Sequence, residues 1–290
     1  MLKRRIIAVL PVRSGIVVQS IAFGRYLPVG TIDVSIEFLS RWGIDEIVLL
    51  DMDATPQKRR PAFDVVTRAS RRAFVPLTIG GGISSLEDIR MLIHAGADKI
   101  AINHAALTNP AFVSEAAAVF GSQCVVVSID VRRNAAGVRE VFGDRGRVAT
   151  GRSPADVARE MEKHGAGEIL LNSIDRDGMK SGFDTALITD VVSAVHIPVI
   201  ACGGVGNAED FRAGIAAGAS AVAAGNYFHF SEHSVIIVKS HLARAGIDVR
   251  LDTRATYDGC TLEGVTGRIA KRESAYLHKL RFEYQKDEVI

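Results

Sequence analysis

At 290 residues with 48% hydrophobic content, the chain is too long for a small sandwich and short for two full catalytic domains. It suits one eight-stranded α/β barrel of roughly 250 residues plus an appendage. Disorder, collagen and coiled coil are excluded as whole-chain readings, and with Lys and Arg totalling 35 against 33 acids, a formal charge of +2 spread along the chain gives nucleic-acid binding no support.

The start, Met1-Leu2-Lys3-Arg4-Arg5 before an apolar run from Ile6 to Val12, imitates a secretory leader. The run is short, contains Pro11 and meets Arg13 instead of a small-residue cleavage site, so it reads as a buried strand. Nowhere do eighteen apolar residues run together, so no membrane span is expected and the expected location is cytoplasmic. Cys124, Cys202 and Cys260 are widely spaced with no Cys-x-x-Cys pair, which fits a reducing compartment and argues against a zinc ribbon.

Aliphatic runs predict strands near 5–10, 46–51, 76–79, 99–102, 124–130, 168–172, 198–201 and 221–224. Amphipathic stretches between them predict helices near 31–42, 60–73, 85–95, 110–120, 153–164, 184–195, 207–217 and 234–245, with caps such as Ser85 and Asn207. The alternation fits a barrel, and by itself an open doubly wound sheet as well. An internal repeat decides between them. A shift of 122 residues puts Glu46 on Glu168, Pro76 on Pro198, Gly81-Gly82 on Gly203-Gly204, Glu87-Asp88 on Glu209-Asp210, Arg90 on Arg212 and Gly96 on Gly218; 74–103 against 196–225 gives 11 identities in 30. Each copy spans four βα units, so the expected fold class is α/β, a (βα)8 TIM barrel of two half-barrel repeats over 1–250. A C-terminal extension follows over 251–290. In that extension Tyr276, Leu280 and Tyr284 recur every four residues, the stripe of a helix over about 269–286. Residues 133–150, with Gly137, Gly143 and Gly146, read as a hairpin in the fifth βα loop, over the barrel mouth.

Reactive groups in such barrels stand at the C-terminal ends of strands. The third strand ends in Gly80-Gly81-Gly82 and the seventh in Gly203-Gly204, each just before a helix, whose free amides and dipole favour an anion. With Asn103 ending the fourth strand and Gly225-Asn226 the eighth, two opposed sites predict a small-molecule ligand with two phosphates. Asp51, Asp130 and Asp175-Arg176-Asp177-Gly178 add carboxylates at the ends of strands two, five and six. Such a carboxylate can act as general acid or base, or merely cap the next helix. His229 and His233 have helical spacing but no third ligand, so neither metal nor cofactor is expected.

At these residues the chain resembles the HisF family, the cyclase subunits of imidazole glycerol phosphate synthase, over nearly all of 1–251. The matches are Arg5-Ile6-Ile7 with Val12 and Gly15, Thr78 to Gly82, Gly96-Ala97-Asp98-Lys99, Phe120-Gly121-Ser122-Gln123, Gly165 through Leu171, and Ser173 through Gly178. The resemblance implies a two-phosphate substrate held by Gly82, Asn103, Asp177, Gly178, Gly204, Gly225 and Asn226, with Asp51 and Asn172 in the substrate pocket. It implies Asp130 as a catalytic residue, and an ammonia gate of Arg5, Glu46, Lys99 and Glu168. It further implies a HisH-like glutaminase as heterodimer partner, facing Asp98. Three mouth positions depart from the family. Pro11 stands where its first catalytic Asp belongs, Gln19 where a lysine is usual, and His104 where a threonine follows Asn103. Proline has no transferable proton and cannot replace a carboxylate.

Lack of the first Asp, together with Val127-Ser128-Ile129-Asp130-Val131 and Leu171-Asn172-Ser173-Ile174-Asp175, is similar to the WbuZ-type HisF-like proteins. Those are associated with sugar amidation for O-antigen lipopolysaccharide, alongside a separate sugar amidotransferase. The expected function is therefore the synthase subunit of a glutamine amidotransferase complex. Two alternatives stay open: a true cyclase-lyase of histidine biosynthesis, and a non-catalytic scaffold that activates the glutaminase.

Overall fold

The computed structural model describes residues 3–230 and 233–251, together with 261 and 270. Eight parallel strands close into a barrel: β1 (Arg5–Arg13), β2 (Glu46–Asp51), β3 (Leu77–Gly80), β4 (Lys99–Ile102), β5 (Val125–Arg133), β6 (Glu168–Ser173), β7 (Val199–Cys202) and β8 (Ala221–Ala224). Pairing of β8 with β1 and of β5 with β6 completes the circle, which excludes the open doubly wound sheet. Helices follow in turn: α1 (Ile32–Arg41), α2 (Phe63–Ser70), α3 (Leu86–His94), α4 (Ala111–Phe120), α5 (Pro154–Lys163), α6 (Thr185–Val192), α7 (Ala208–Ala216) and α8 (Ser234–Arg244).

Two apolar cores follow from the two faces of the strands. One, between barrel and helices, holds residues such as Ile6, Ala8, Leu10, Val125, Val127 and Phe211. The other fills the barrel with Ile7, Val9, Val48, Ala101, Val126, Leu170, Ile200, Cys202, Ala221 and Ala223. The period of two then fixes what stands at either end of the bore. On β1 the inward face reads Arg5, Ile7, Val9, Pro11; on β4 Lys99, Ala101, Asn103; on β5 Val126, Ser128, Asp130; on β6 Glu168, Leu170, Asn172. Charges therefore meet at the strand starts and polar groups at the strand ends.

The repeat is visible in the capping chemistry. Ser85 caps α3 and Asn207 caps α7, each in a reciprocal capping box, with Asp88 and Asp210 as the returning carboxylates. Gly96 and Gly218, with φ of 105° each, turn the chain out of those helices.

Elements outside the predicted pattern gather at the mouth. β1 runs on to Arg13 because Val12 and Arg13 pair with the strand Ile16–Ile21, which forms a hairpin with Arg25–Thr31. That second strand is mostly exposed and contains Pro28, so it lacks the buried alternation that marks a strand in sequence. Beyond β5 the expected hairpin is present: Arg139–Gly143 pairs antiparallel with β5, and Val148–Ala149 adds a short third strand. Arg132 joins the two hairpins, donating from Nη1 to the Gly146 carbonyl at 3.0 Å and from Nη2 to the Ala22 carbonyl at 3.5 Å.

At the opposite end Lys239 of α8, 1% exposed, donates to Asp45 Oδ1 at 2.5 Å and to the Gly43 carbonyl at 2.6 Å, while Asp45 Oδ2 accepts from Ile6 N at 2.8 Å. Removing one member of a buried pair strands the other. Lys239→Met is expected to cost about 3–5 kcal/mol of unfolding free energy in urea titration; an unchanged midpoint would show that the pin contributes nothing.

The chain divides into two units, Met1–Thr256 and Tyr257–Ile290. In the second, Ala270 N donates to the Thr261 carbonyl at 2.7 Å. The helix expected over 269–286 and Cys260 lie outside the described residues. Among the described residues no helix is long and apolar enough to cross a membrane.

Candidate functional site at the barrel mouth

At the strand starts the four inward charges form a closed ring. Arg5 Nη1 is 2.8 Å from Glu46 Oε2 and Arg5 Nη2 is 2.8 Å from Glu168 Oε1; Lys99 Nζ is 3.1 Å from Glu46 Oε1 and 3.0 Å from Glu168 Oε2. Burial disfavours the Arg5 charge, yet Glu168 and Glu46 outweigh it and raise its pKa. Thr78, fully buried on β3, donates to Glu46 Oε1 at 3.0 Å, a support the sequence reading missed although period-two counting back from Gly80 puts it on the inward face. Asp98, exposed beside the ring, accepts from Leu77 N at 2.8 Å and so also ties the turn before β4 to β3.

At the strand ends lies a cavity of about 860 Å³, within the size range of small-molecule sites. Its floor has two halves. Val9, Pro11, Leu50 and Ala101 make an apolar side, and Asn103, Ser128, Asp130, Asn172 and Cys202 a polar one. Asp130, 8% exposed, receives Ser128 Oγ and Asn103 Nδ2, each at 3.3 Å. Burial pushes its pKa up to about 7, and the charge of Asp177 adds to the rise, against the hydrogen bond from Ser128. A carboxyl balanced there both gives and takes a proton near neutral pH. Burial likewise lifts Asp177 to about 6 and raises the Cys202 thiol, which removes Cys202 as a nucleophile. The Asn172 Oδ1 is buried without a hydrogen-bond partner among the described residues, so the floor holds an acceptor with no donor.

The predicted residues are brought together unevenly. Gly82, Asn103, Asp177, Gly225, Asn226, Asp51, Asp130, Asn172 and His104 line this one cavity, whereas Gly178, Gly204 and Gln19 do not. Gly81 allows β3 to pass β2 closely: its φ is 107°, and a Cβ there would overlap the Asp51 carbonyl oxygen. Asp51 is not a free base. Arg59 Nη2 lies 2.7 and 2.8 Å from its two oxygens, and Asp51 Oδ1 accepts from the amides of Asp53 and Ala54 at 3.1 and 3.2 Å. The Gly82 amide donates to Thr55 Oγ1 at 3.2 Å. Arg59, Thr55 and the first hairpin belong to loops, where no periodicity marked them. Among the described residues no three His, Cys, Asp or Glu side chains group as a metal would need.

Barrel, mouth carboxylates and opposing ring define a (βα)8 protein with its ligand cavity at the C-terminal ends of the strands. The sequence of residues 5–234 matches the family described as "Histidine biosynthesis protein". It is also 43% identical over 264 residues to a protein of Vibrio vulnificus (strain YJ016) named "Putative imidazole glycerol phosphate synthase subunit hisF2", covering 91% of this chain and 97% of that one. The chain belongs to the histidine biosynthesis protein family and, within it, to the HisF family.

Proposed function

We propose that this chain is the synthase half of a glutamine amidotransferase. Ammonia from a HisH-like glutaminase enters at the ring of Arg5, Glu46, Lys99 and Glu168, crosses the apolar bore and meets its acceptor at the Asp130 end. The service is amidation of a sugar for O-antigen or a related surface polysaccharide, with a separate sugar amidotransferase, in the manner of the WbuZ-type proteins, rather than imidazole formation. The observation that carries the reading is Pro11: it takes the inward place on β1 where a cyclase of this family carries a carboxylate, while the ring at the other end is complete. The residues packed inside the barrel between the ring and the mouth are mostly apolar, which supports a route for a neutral molecule rather than an ion.

The chain is expected to fail to rescue a histidine auxotroph lacking HisF, while raising the glutamine hydrolysis of its glutaminase partner. Robust growth would instead establish a second reading, the cyclase subunit of histidine biosynthesis. Its support is the pair Asp130 and Asp177 in one cavity, with pKa values of about 7 and about 6, and the printed name of the Vibrio relative.

A further inference from the structure

Five large apolar side chains stand bare around the mouth. Leu27 and Val29 lie on the outer strand of the first hairpin, Val148 on the outer strand of the second, Met179 in the loop after β6, and Phe230 just beyond β8, with exposures between 36% and 56%. None of the five lines the cavity, so a small molecule inside it leaves them uncovered. Exposed apolar residues scattered singly are ordinary, but a set that rims an opening marks a surface that a macromolecule covers.

The loops that carry them are fastened into one rim. Ala22 N donates to the Asp177 carbonyl at 2.9 Å and Asn226 Nδ2 to the Ser20 carbonyl at 2.7 Å, which ties the first hairpin to the loops after β6 and β8. Lys180 Nζ sits 4.0 Å from the centre of the Phe230 ring, and Arg132 joins the second hairpin to the Ala22 turn. The rim is also basic. Segments 13–31, 51–62, 131–153 and 173–184 hold thirteen Lys and Arg against seven Asp and Glu, in a chain whose formal charge is only +2. Arg25, Lys58, Arg147 and Lys180 are exposed and have no carboxylate partner among the described residues.

Charge and backbone together select the occupant. A second copy seated mouth to mouth would set like charges against each other, whereas an acidic surface complements them. The strand Arg25–Thr31 pairs only with Ile16–Ile21, and Val148–Ala149 only with Arg139–Gly143, so each leaves a free sheet edge among the described residues. Unpaired main-chain donors and acceptors beside apolar side chains suit another polypeptide, which favours a protein over a lipid surface.

We propose that the rim of the mouth is the docking face for a protein that presents an acidic, partly apolar surface and carries the ammonia-accepting site, and that its seating closes the Asp130 end of the barrel to water. Ammonia released into neutral water takes up a proton and loses the lone pair with which it attacks; a closed site prevents that loss. The inference deepens the amidation reading and rests on it for the partner, the separate sugar amidotransferase.

Surface plasmon resonance tests it, with the same organism's sugar amidotransferase passed over the full-length chain in complex with its glutaminase. Binding is expected to weaken as salt rises, because exposed charges steer the encounter. The double variant Arg25→Glu, Lys180→Glu is expected to weaken it about tenfold or more, and Leu27→Asp to weaken it as well. Arg90→Glu, on α3 and away from the mouth, is expected to change nothing. Unchanged affinity in both rim variants would overturn the proposal. So would no binding at micromolar concentration; a dimer that the double variant splits, or phosphatidylglycerol vesicles that it no longer binds, would then name the occupant. Amidotransferase binding that ignores the rim variants removes this docking face and leaves the amidation reading standing. Rescue of the histidine auxotroph together with rim-dependent binding removes the amidation reading and leaves the docking face.

Discussion

Asp130→Asn is expected to make the protein more stable at pH 8 and to leave it no more stable at pH 4. The reason is linkage. The folded pKa of about 7 lies above the ordinary carboxyl value of 3.8 because burial disfavours the ionised form. The folded state therefore holds a proton that the unfolded state has already released, and the stability this gives is complete below about pH 4 and lost as pH rises through about 7. That interval corresponds to about 4 kcal/mol lost at full ionisation, which asparagine escapes. Hydrogen-bond differences between Asp and Asn shift both ends of the profile equally, so the growth of the melting-temperature gap between pH 4 and pH 8 is the readout. A constant gap would mean that Asp130 titrates normally. The same substitution removes the carboxyl proposed to meet the acceptor and is expected to lower turnover of the complex by about 10²–10⁴-fold.

The second large effect is at the other end of the bore. Glu46→Leu leaves Arg5 and Lys99 facing Glu168 alone and deprives the Thr78 hydroxyl of its acceptor. Breaking a buried ionic cluster in this way costs about 3–5 kcal/mol, on the order of 10 °C in melting temperature for a domain of this size. Glu46→Leu with Lys99→Leu is expected to cost less than Glu46→Leu alone, because one charge of each sign leaves and the Arg5–Glu168 pair at 2.8 Å remains. Melting curves of the wild type, the two single variants and the double variant decide it; a double variant that falls by the sum of the singles would show independent contacts rather than a ring.

The eight strands were legible because a strand buried on both faces is a near-continuous apolar run, as in Val125-Val126-Val127 or Ile47-Val48-Leu49. Closure was legible from the repeat, whose capping boxes at Ser85 and Asn207 recur in the structure. The hairpin over 16–31 was not, because Arg25–Thr31 makes its hydrogen bonds without burying an alternating face. The ring residues were placed through family resemblance, though each also occupies the first inward position of its strand.

Arg132 has one further consequence. Its guanidinium grips a carbonyl in each of two excursions that are separated by more than a hundred positions in the chain. A single protease nick near Gly146 would loosen the Ala22 turn as well, and deuterium uptake at the two tips would rise together, as if one flap had been cut.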